Sequence, residues 1–235
     1  MLVKLQPEAK TERKMMQKYN CPHMRCVVEE VYALTKNNKI RKMLEAFSPP
    51  APNSWKKNAG EWLTTSDIKK GLAPWLRAYD DSVLLDVTSR DWNWKHPDDT
   101  CESEAMCKFD LNDYIKRGKR KICVVFNLDL HHQPGSHWVA LFICVKNKSI
   151  YYFDSTGDPC PKLIKAFVER VQAQSKFKFY QNKVPHQRGN NECGVYVTYF
   201  LAYMIRYADF SHFQGERISD TYMNERRLDT FFSPQ

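Results

Sequence analysis

The chain has 235 residues, 43% hydrophobic and 27% charged, a balance that excludes a disordered polyampholyte and suits one large domain with a small appendage. No apolar run reaches the length of a membrane span, and the start, MLVKLQPEAKTERKMMQKYN, lacks the apolar centre of a signal peptide, so an intracellular, non-membrane protein is expected. The net charge of +9 would suit an acidic partner such as nucleic acid, but the lysines are spread along the chain with no RNA-binding signature, and a solvated basic surface is the simpler reading.

Residues 1–46, rich in Lys, Glu, Met and Leu, predict helix. Val27, Val28, Val31, Leu34, Ile40, Leu44 and Phe47 follow a broken helical period and call for burial. SPPAPNSW then forbids a regular helix and reads as a boundary. The expected organisation is a helical arm over residues 1–50 and a main domain over 51–235. The main domain opens with WLTTSDIKKGLAPWLRAY, a helix with Thr65 or Ser66 near its N-cap and Asp67 in its first turn, interrupted by Gly71 and Pro74.

Strand-like runs follow: KICVVFNLDL, HWVALFICV, SIYYFDS and FKFYQNK. Between the last two, Leu163, Ile164, Phe167, Val168 and Val171 form one apolar stripe, which predicts an amphipathic helix on the sheet. The stretch after Cys193, apolar nearly all round, predicts a buried central helix. The fold class expected is α+β, a mixed central sheet packed by helices.

The eight cysteines are not spaced as a disulfide framework. Cys123 and Cys144 sit inside strand-like runs, as small buried hydrophobes do, and a reducing compartment fits. Cys21 with Cys26 and Cys101 with Cys107 give C-x4-C and C-x5-C, which is not a tetrahedral zinc spacing. No metal and no cofactor are expected.

Cys193 is the candidate nucleophile. A thiol at the first turn of a helix meets unpaired amides and the positive end of the helix dipole, which favour the thiolate. Gly194, beside it, would leave room for a substrate backbone. An ordinary buried cysteine is the competing reading, and it weakens once His137 and Asp154 are added. His137 begins one strand and Asp154 ends the next; a short turn at 146–148 would pair the two antiparallel and set both residues at one sheet end. A histidine beside the thiol and a carboxylate fixing its tautomer complete a Cys-His-Asp triad. Gln187, six residues before the cysteine, can donate its side-chain amide to an oxyanion, with the Cys193 backbone N–H as second donor.

His137-Trp138, Asp154, Gln187 and Cys193-Gly194, in this order, resemble the adenain-like cysteine protease group. That group includes proteases of SUMO and other ubiquitin-like proteins, adenovirus protease and polyprotein proteases of large DNA viruses. The resemblance covers roughly residues 61–208; Trp62-Leu63 is similar to the opening of the group's first helix, although Thr64-Thr65 stands where Asn-Asp often follows. It implies a thiol endopeptidase that cuts after Gly-Gly-type pairs in viral capsid or core polyproteins, in the host cytoplasm and the virion. It also implies a narrow tunnel for glycines walled by tryptophans, with Trp138 and Trp62 as the candidates here. A deconjugating enzyme for SUMO or ubiquitin would use the same residues, an acetyltransferase could use the same fold, and activation by DNA occurs within the group. A non-enzymatic nucleic-acid-binding module leaves the four aligned residues unexplained.

Overall fold

The computed structural model describes residues 14–15, 17–19, 24–37, 39–40, 48–58 and 60–231. The chain divides into two compact units, Pro52–Arg227 and a second made of Met1–Ala51 with Leu228–Gln235. In the second unit, α1 (Met24–Thr35) carries the apolar positions read from the sequence, but not all are covered. Val27 is buried, while Leu34, seven residues on and so on the same helix face, is 74% exposed at the end of the helix. Leu44 and Phe47 lie outside the described residues.

The larger unit is built on a five-stranded sheet in the order β1 (Ser82–Ser89), β2 (Lys121–Asn127), β3 (Trp138–Cys144), β4 (Ser149–Phe153) and β5 (Lys178–Gln181). The outer pairs are parallel and the inner pairs antiparallel, so the sheet is mixed, as expected. The 146–148 turn joins β3 to β4 with Cys144 opposite Ser149.

The continuous apolar runs of β2, β3 and β4 follow from burial on both faces. Alternate residues Ile122, Val124, Phe126, Val139, Leu141, Ile143, Ile150 and Tyr152 join one core with Ile164, Phe167, Val168 and Val171 of α2 (Lys162–Gln174). The intervening residues face α3 (Cys193–Tyr207), where Phe153 stacks on Phe200 at 4.7 Å. The α3 helix is therefore apolar all round because it lies between the sheet and a further helix, α4 (Thr65–Ala78), which packs on both α3 and β1.

The α4 helix corrects three expectations. Its N-cap is Thr64, one residue earlier than read, and Thr64 and Asp67 close a reciprocal capping box. Gly71 is buried inside the helix, and Pro74 continues it without a break. Packing against α3 and β1 outweighs the one backbone hydrogen bond that proline removes. The β1 strand was also missed. Its apolar residues are broken by Asp86, where the register slips against β2, so no clean alternation marks it. Further missed helices are α5 (Glu104–Cys107), α6 (Leu111–Lys116) and α7 (Asp220–Thr230).

Cys101 and Cys107 are joined in a disulfide, against the reading of the cysteines as unpaired. The single turn of α5 folds the chain back and brings their Cα atoms to 6.5 Å, which spacing alone does not reveal. Cys21 and the Cys26 side chain lie outside the described residues.

Replacing Thr64 by Ala should remove the capping box and cost about 1 kcal/mol of unfolding free energy. Urea titration checks this, with an unchanged slope showing that the fold itself is kept.

Candidate active site

The chain's chemistry gathers at one end of the sheet. β1 and β2 finish there at Ser89 and Asn127, β3 starts there at Trp138 opposite Asn127, and β4 finishes at Phe153 opposite Ala140. His137 immediately precedes β3 and Asp154 immediately follows β4, so antiparallel pairing sets them diagonally across one edge. Nε2 of His137 lies 2.7 Å from Oδ1 of Asp154. The other ring nitrogen, Nδ1, is left free on the side of the Cys193 thiol, which lies near enough to act on the imidazole's charge.

Asp154 is almost wholly buried and held from several sides. The Thr156 backbone N–H and hydroxyl donate to its carboxylate at 2.9 and 2.8 Å, and the Tyr152 hydroxyl donates at 3.5 Å. Asn182, itself fully buried, locks the Asp154 backbone: its Oδ1 accepts from the Asp154 N–H and its Nδ2 donates to the Asp154 carbonyl. Gly157 closes the turn in a left-handed conformation (φ +78°) tight against the backbone of Lys183.

These contacts set the charge on His137. Burial by itself would push its pKa down, but the hydrogen bond to Asp154 and the interaction with both Asp154 and Cys193 outweigh it, raising the pKa from 6.5 to about 10. At neutral pH the imidazole is thus a cation beside the sulfur, the partner a thiolate needs. Cys193 is the first residue of α3, buried, with the helix dipole behind it.

Gln187 is brought to the same site in a fixed orientation. Its Oε1 accepts from the Ser155 hydroxyl at 2.6 Å, its backbone N–H donates to the Ser155 carbonyl, and one Nε2 hydrogen goes to the Gly189 carbonyl. The second Nε2 hydrogen remains for a ligand. Trp138 is buried, with Nε1 donating to the Leu63 carbonyl at 2.9 Å. Trp62 is 43% exposed and donates to Asn191 Oδ1 at 3.3 Å. Both tryptophans line one cavity.

Gly194 departs from expectation. The space beside it is occupied by protein rather than open to a substrate: a Cβ there would lie 2.7 Å from Leu63 Cβ. The missing side chain lets α3 approach the segment that carries Trp62.

Residues 111–232 match the model of the Ulp1 protease family, C-terminal catalytic domain. The chain belongs to the Ulp1 protease family. Its relatives include viral thiol proteases. A thiol protease of Acanthamoeba polyphaga mimivirus is 30% identical over 176 residues, 71% of this chain and 55% of that protein, so the chain spans about half of that relative's length. A cysteine protease of African swine fever virus is 26% identical over 249 residues, 97% of this chain and 89% of the other. The crystal structure of the African swine fever virus protease shares the fold with a TM-score of 0.67 at 23% identity, covering 100% of this chain and 91% of that one. The Ulp1 protease domain bound to Smt3, the yeast SUMO, does so with a TM-score of 0.52 at 19% identity, covering 81% and 80%. Like its relatives, this Ulp1-family chain is a cysteine protease.

Several residues that shape the site escaped the sequence reading. Ser155 and Asn182 orient Gln187 and Asp154; Ser155 follows the acid directly, but nothing in the sequence links it to Gln187. Asp220, at the start of α7, accepts from the Arg188 and Gly189 backbone N–H groups and from the Tyr196 hydroxyl. Arg227, seven residues on and almost fully buried, donates to the carbonyls of Glu61 and Asn191. Together they fasten the 188–191 loop, and a charged, weakly apolar helix gives no local hint of that work. Among the described residues, no three His, Cys, Asp or Glu side chains are grouped to hold a metal, and no helix is long and apolar enough to cross a membrane.

Gly194→Ala should destabilise the fold by roughly 1–3 kcal/mol through the clash with Leu63. Denaturant unfolding of Gly194→Ala, Leu63→Ala and the double variant checks the cause. The double variant should be clearly more stable than the sum of the two losses allows, whereas simple additivity would place the cost elsewhere.

Proposed function

We propose that Cys193, His137, Asp154 and Gln187 carry out thiol proteolysis after Gly-Gly-type pairs in viral structural polyproteins, at the assembly site in the host cytoplasm and in the virion. The observation that carries this reading is the His137–Asp154 hydrogen bond beside Cys193 at the start of α3. The Cys193 thiolate attacks the carbonyl carbon; the carbonyl π pair moves to oxygen, where the free Gln187 Nε2 hydrogen and the Cys193 backbone N–H receive the oxyanion. As the carbonyl re-forms, the C–N bond breaks and the His137 imidazolium gives its proton to the departing amine. Neutral His137 then takes a proton from water, whose oxygen displaces the thiolate from the thioester and releases the acid.

Trp138 and Trp62, which line one cavity beside His137, are the candidate walls of a glycine-selective channel. The viral relatives support a polyprotein substrate in the same virus. A second reading, an isopeptidase for a ubiquitin-like modifier, is favoured by the Smt3-bound Ulp1 domain and by an African swine fever virus relative named as a SUMO-1 cysteine protease.

A fluorogenic Gly-Gly peptide, ubiquitin and SUMO probes, and virion polyproteins with N-terminal sequencing of fragments separate the two readings. Cys193→Ala should abolish every cleavage. Gln187→Ala should lower kcat by roughly 10²-fold with KM little changed, and Ser155→Ala, which only frees the Gln187 amide, should cost less. Cleavage by Cys193→Ala near the parent rate would overturn the mechanism. Efficient turnover of the modifier probes alone would favour the isopeptidase.

A further inference from the structure

His186 is fully buried, stands directly before Gln187 and has no part in the bond-making steps. Nε2 of its ring lies 3.1 Å from the Phe213 carbonyl oxygen, and its Nδ1 accepts from the Ile218 backbone N–H at 3.1 Å. A carbonyl only accepts and an amide N–H only donates, so the ring carries its proton on Nε2 and is neutral. A second proton, on Nδ1, would point at the Ile218 N–H. One face of the ring stacks on Phe153, the residue before Asp154, with centres 5.8 Å apart at 27°.

The segment that receives His186 also holds the other neighbour of Gln187. Asp220, two residues past Ile218, accepts from the Arg188 and Gly189 N–H groups. The Tyr196 hydroxyl of α3 donates to the Ile218 carbonyl and lies 3.0 Å from Asp220 Oδ1. Gln187 thus stands between two residues tied to 218–220, and the helix that carries Cys193 is tied to the same segment. Burial holds the His186 pKa below 6.5; the Phe213 carbonyl acts the other way, and His212 and Arg217 add to the lowering. Tyr196 is the titratable group that faces the ring from α3. The carboxylates of the packed elements, Asp154 after β4 and Asp220 at the start of α7, are already engaged by His137 and Arg217.

We infer that His186 is a positioning residue for the oxyanion: its neutral ring pins the backbone that presents the Gln187 amide to the frame that carries Cys193. The inference deepens the proteolytic reading and rests on the role given there to Gln187. Ser155 fixes the rotation of the Gln187 amide, whereas His186 fixes where that residue sits relative to α3. When the ring gains a second proton, Nδ1 no longer accepts and the Ile218 N–H loses its partner. The chain before Gln187 is then released while the chain after it stays on Asp220. An oxyanion donor that must be re-placed at each turnover lowers kcat rather than substrate binding. A contact made only by the neutral ring, with its pKa depressed, is intact above 6.5 and is lost as the pH falls through the depressed value.

The test compares His186→Phe, which keeps an aromatic ring but neither hydrogen bond, with His186→Gln, whose amide keeps an acceptor and a donor and does not titrate. On a Gly-Gly fluorogenic peptide, His186→Phe should lower kcat by roughly tenfold with KM little changed. Added to Gln187→Ala, it should lower kcat by less than roughly twofold more, because the residue it positions is already gone. His186→Gln should keep most of the parent's kcat, and below pH 6.5 its kcat should decline less than the parent's. Additive losses from His186→Phe and Gln187→Ala, no rescue by Gln, or an equal acid-side decline in parent and His186→Gln would overturn the inference and leave the oxyanion role of Gln187 standing. If Gln187→Ala alone leaves kcat intact, that role falls and the inference falls with it. Should His186→Phe fail to fold, the pH comparison of parent and His186→Gln decides.

Discussion

A carboxylate carried to 1% exposure beneath an imidazole sets most of what this fold must do. Burying a charge is costly unless it is paired and hydrogen-bonded, so Asp154 needs partners from several directions at once. The turn after β4 supplies Thr156, β4 itself supplies Tyr152, the strand-end of β3 supplies His137, and Asn182 beyond β5 anchors the backbone. Tyr152 and Thr156 are local to the acid, whereas His137 and Asn182 come from separate parts of the chain. Only the antiparallel β3–β4 pair beside parallel β5 brings them to one place. The imidazolium that results then faces the first turn of α3, so sheet register and helix position are coupled through a single side chain.

The nucleophile's side of the site is held by a second set of contacts that is steric as well as polar. Gly194 lets α3 close on Leu63, and Leu63 receives the indole N–H of Trp138. The helix that carries the thiol and the wall that would hold the substrate are thereby in direct contact. Asp220 and Arg227 complete the frame by fastening the loop before Cys193 through its backbone groups. A loop held through the Arg188, Gly189 and Asn191 backbone groups can present Gln187 without rearrangement, which is what preorganised stabilisation of a developing charge requires.

Much of this was legible in the sequence, for reasons that can be stated residue by residue. His137, Asp154 and Cys193 each sit at the end of a strongly patterned element, so locating β3, β4 and α3 located them too, whereas Gln187 was read from its spacing to Cys193. The expectations that the structure corrects lacked such a pattern. The register slip at Asp86 hid β1, and tertiary packing carried α4 through Pro74. The Cys101–Cys107 bond depends on a one-turn helix that has no periodicity to read. Gly194 was visible, but its role was not: only the approach of Leu63, distant in sequence, tells close packing from space for a ligand. Ser155, Asn182, Asp220 and Arg227 act through backbone atoms of remote segments, a kind of contact that leaves no spacing rule behind.

The charge on His137 is the point at which sheet, helix and chemistry meet, and nuclear magnetic resonance of the imidazole nitrogens reports it directly. In the folded parent protein the account requires a doubly protonated ring at pH 7, with a titration midpoint near 10, and a lower midpoint once Cys193 is replaced by Ala. A neutral His137 ring at pH 7, titrating at or below the ordinary value of 6.5, would contradict it.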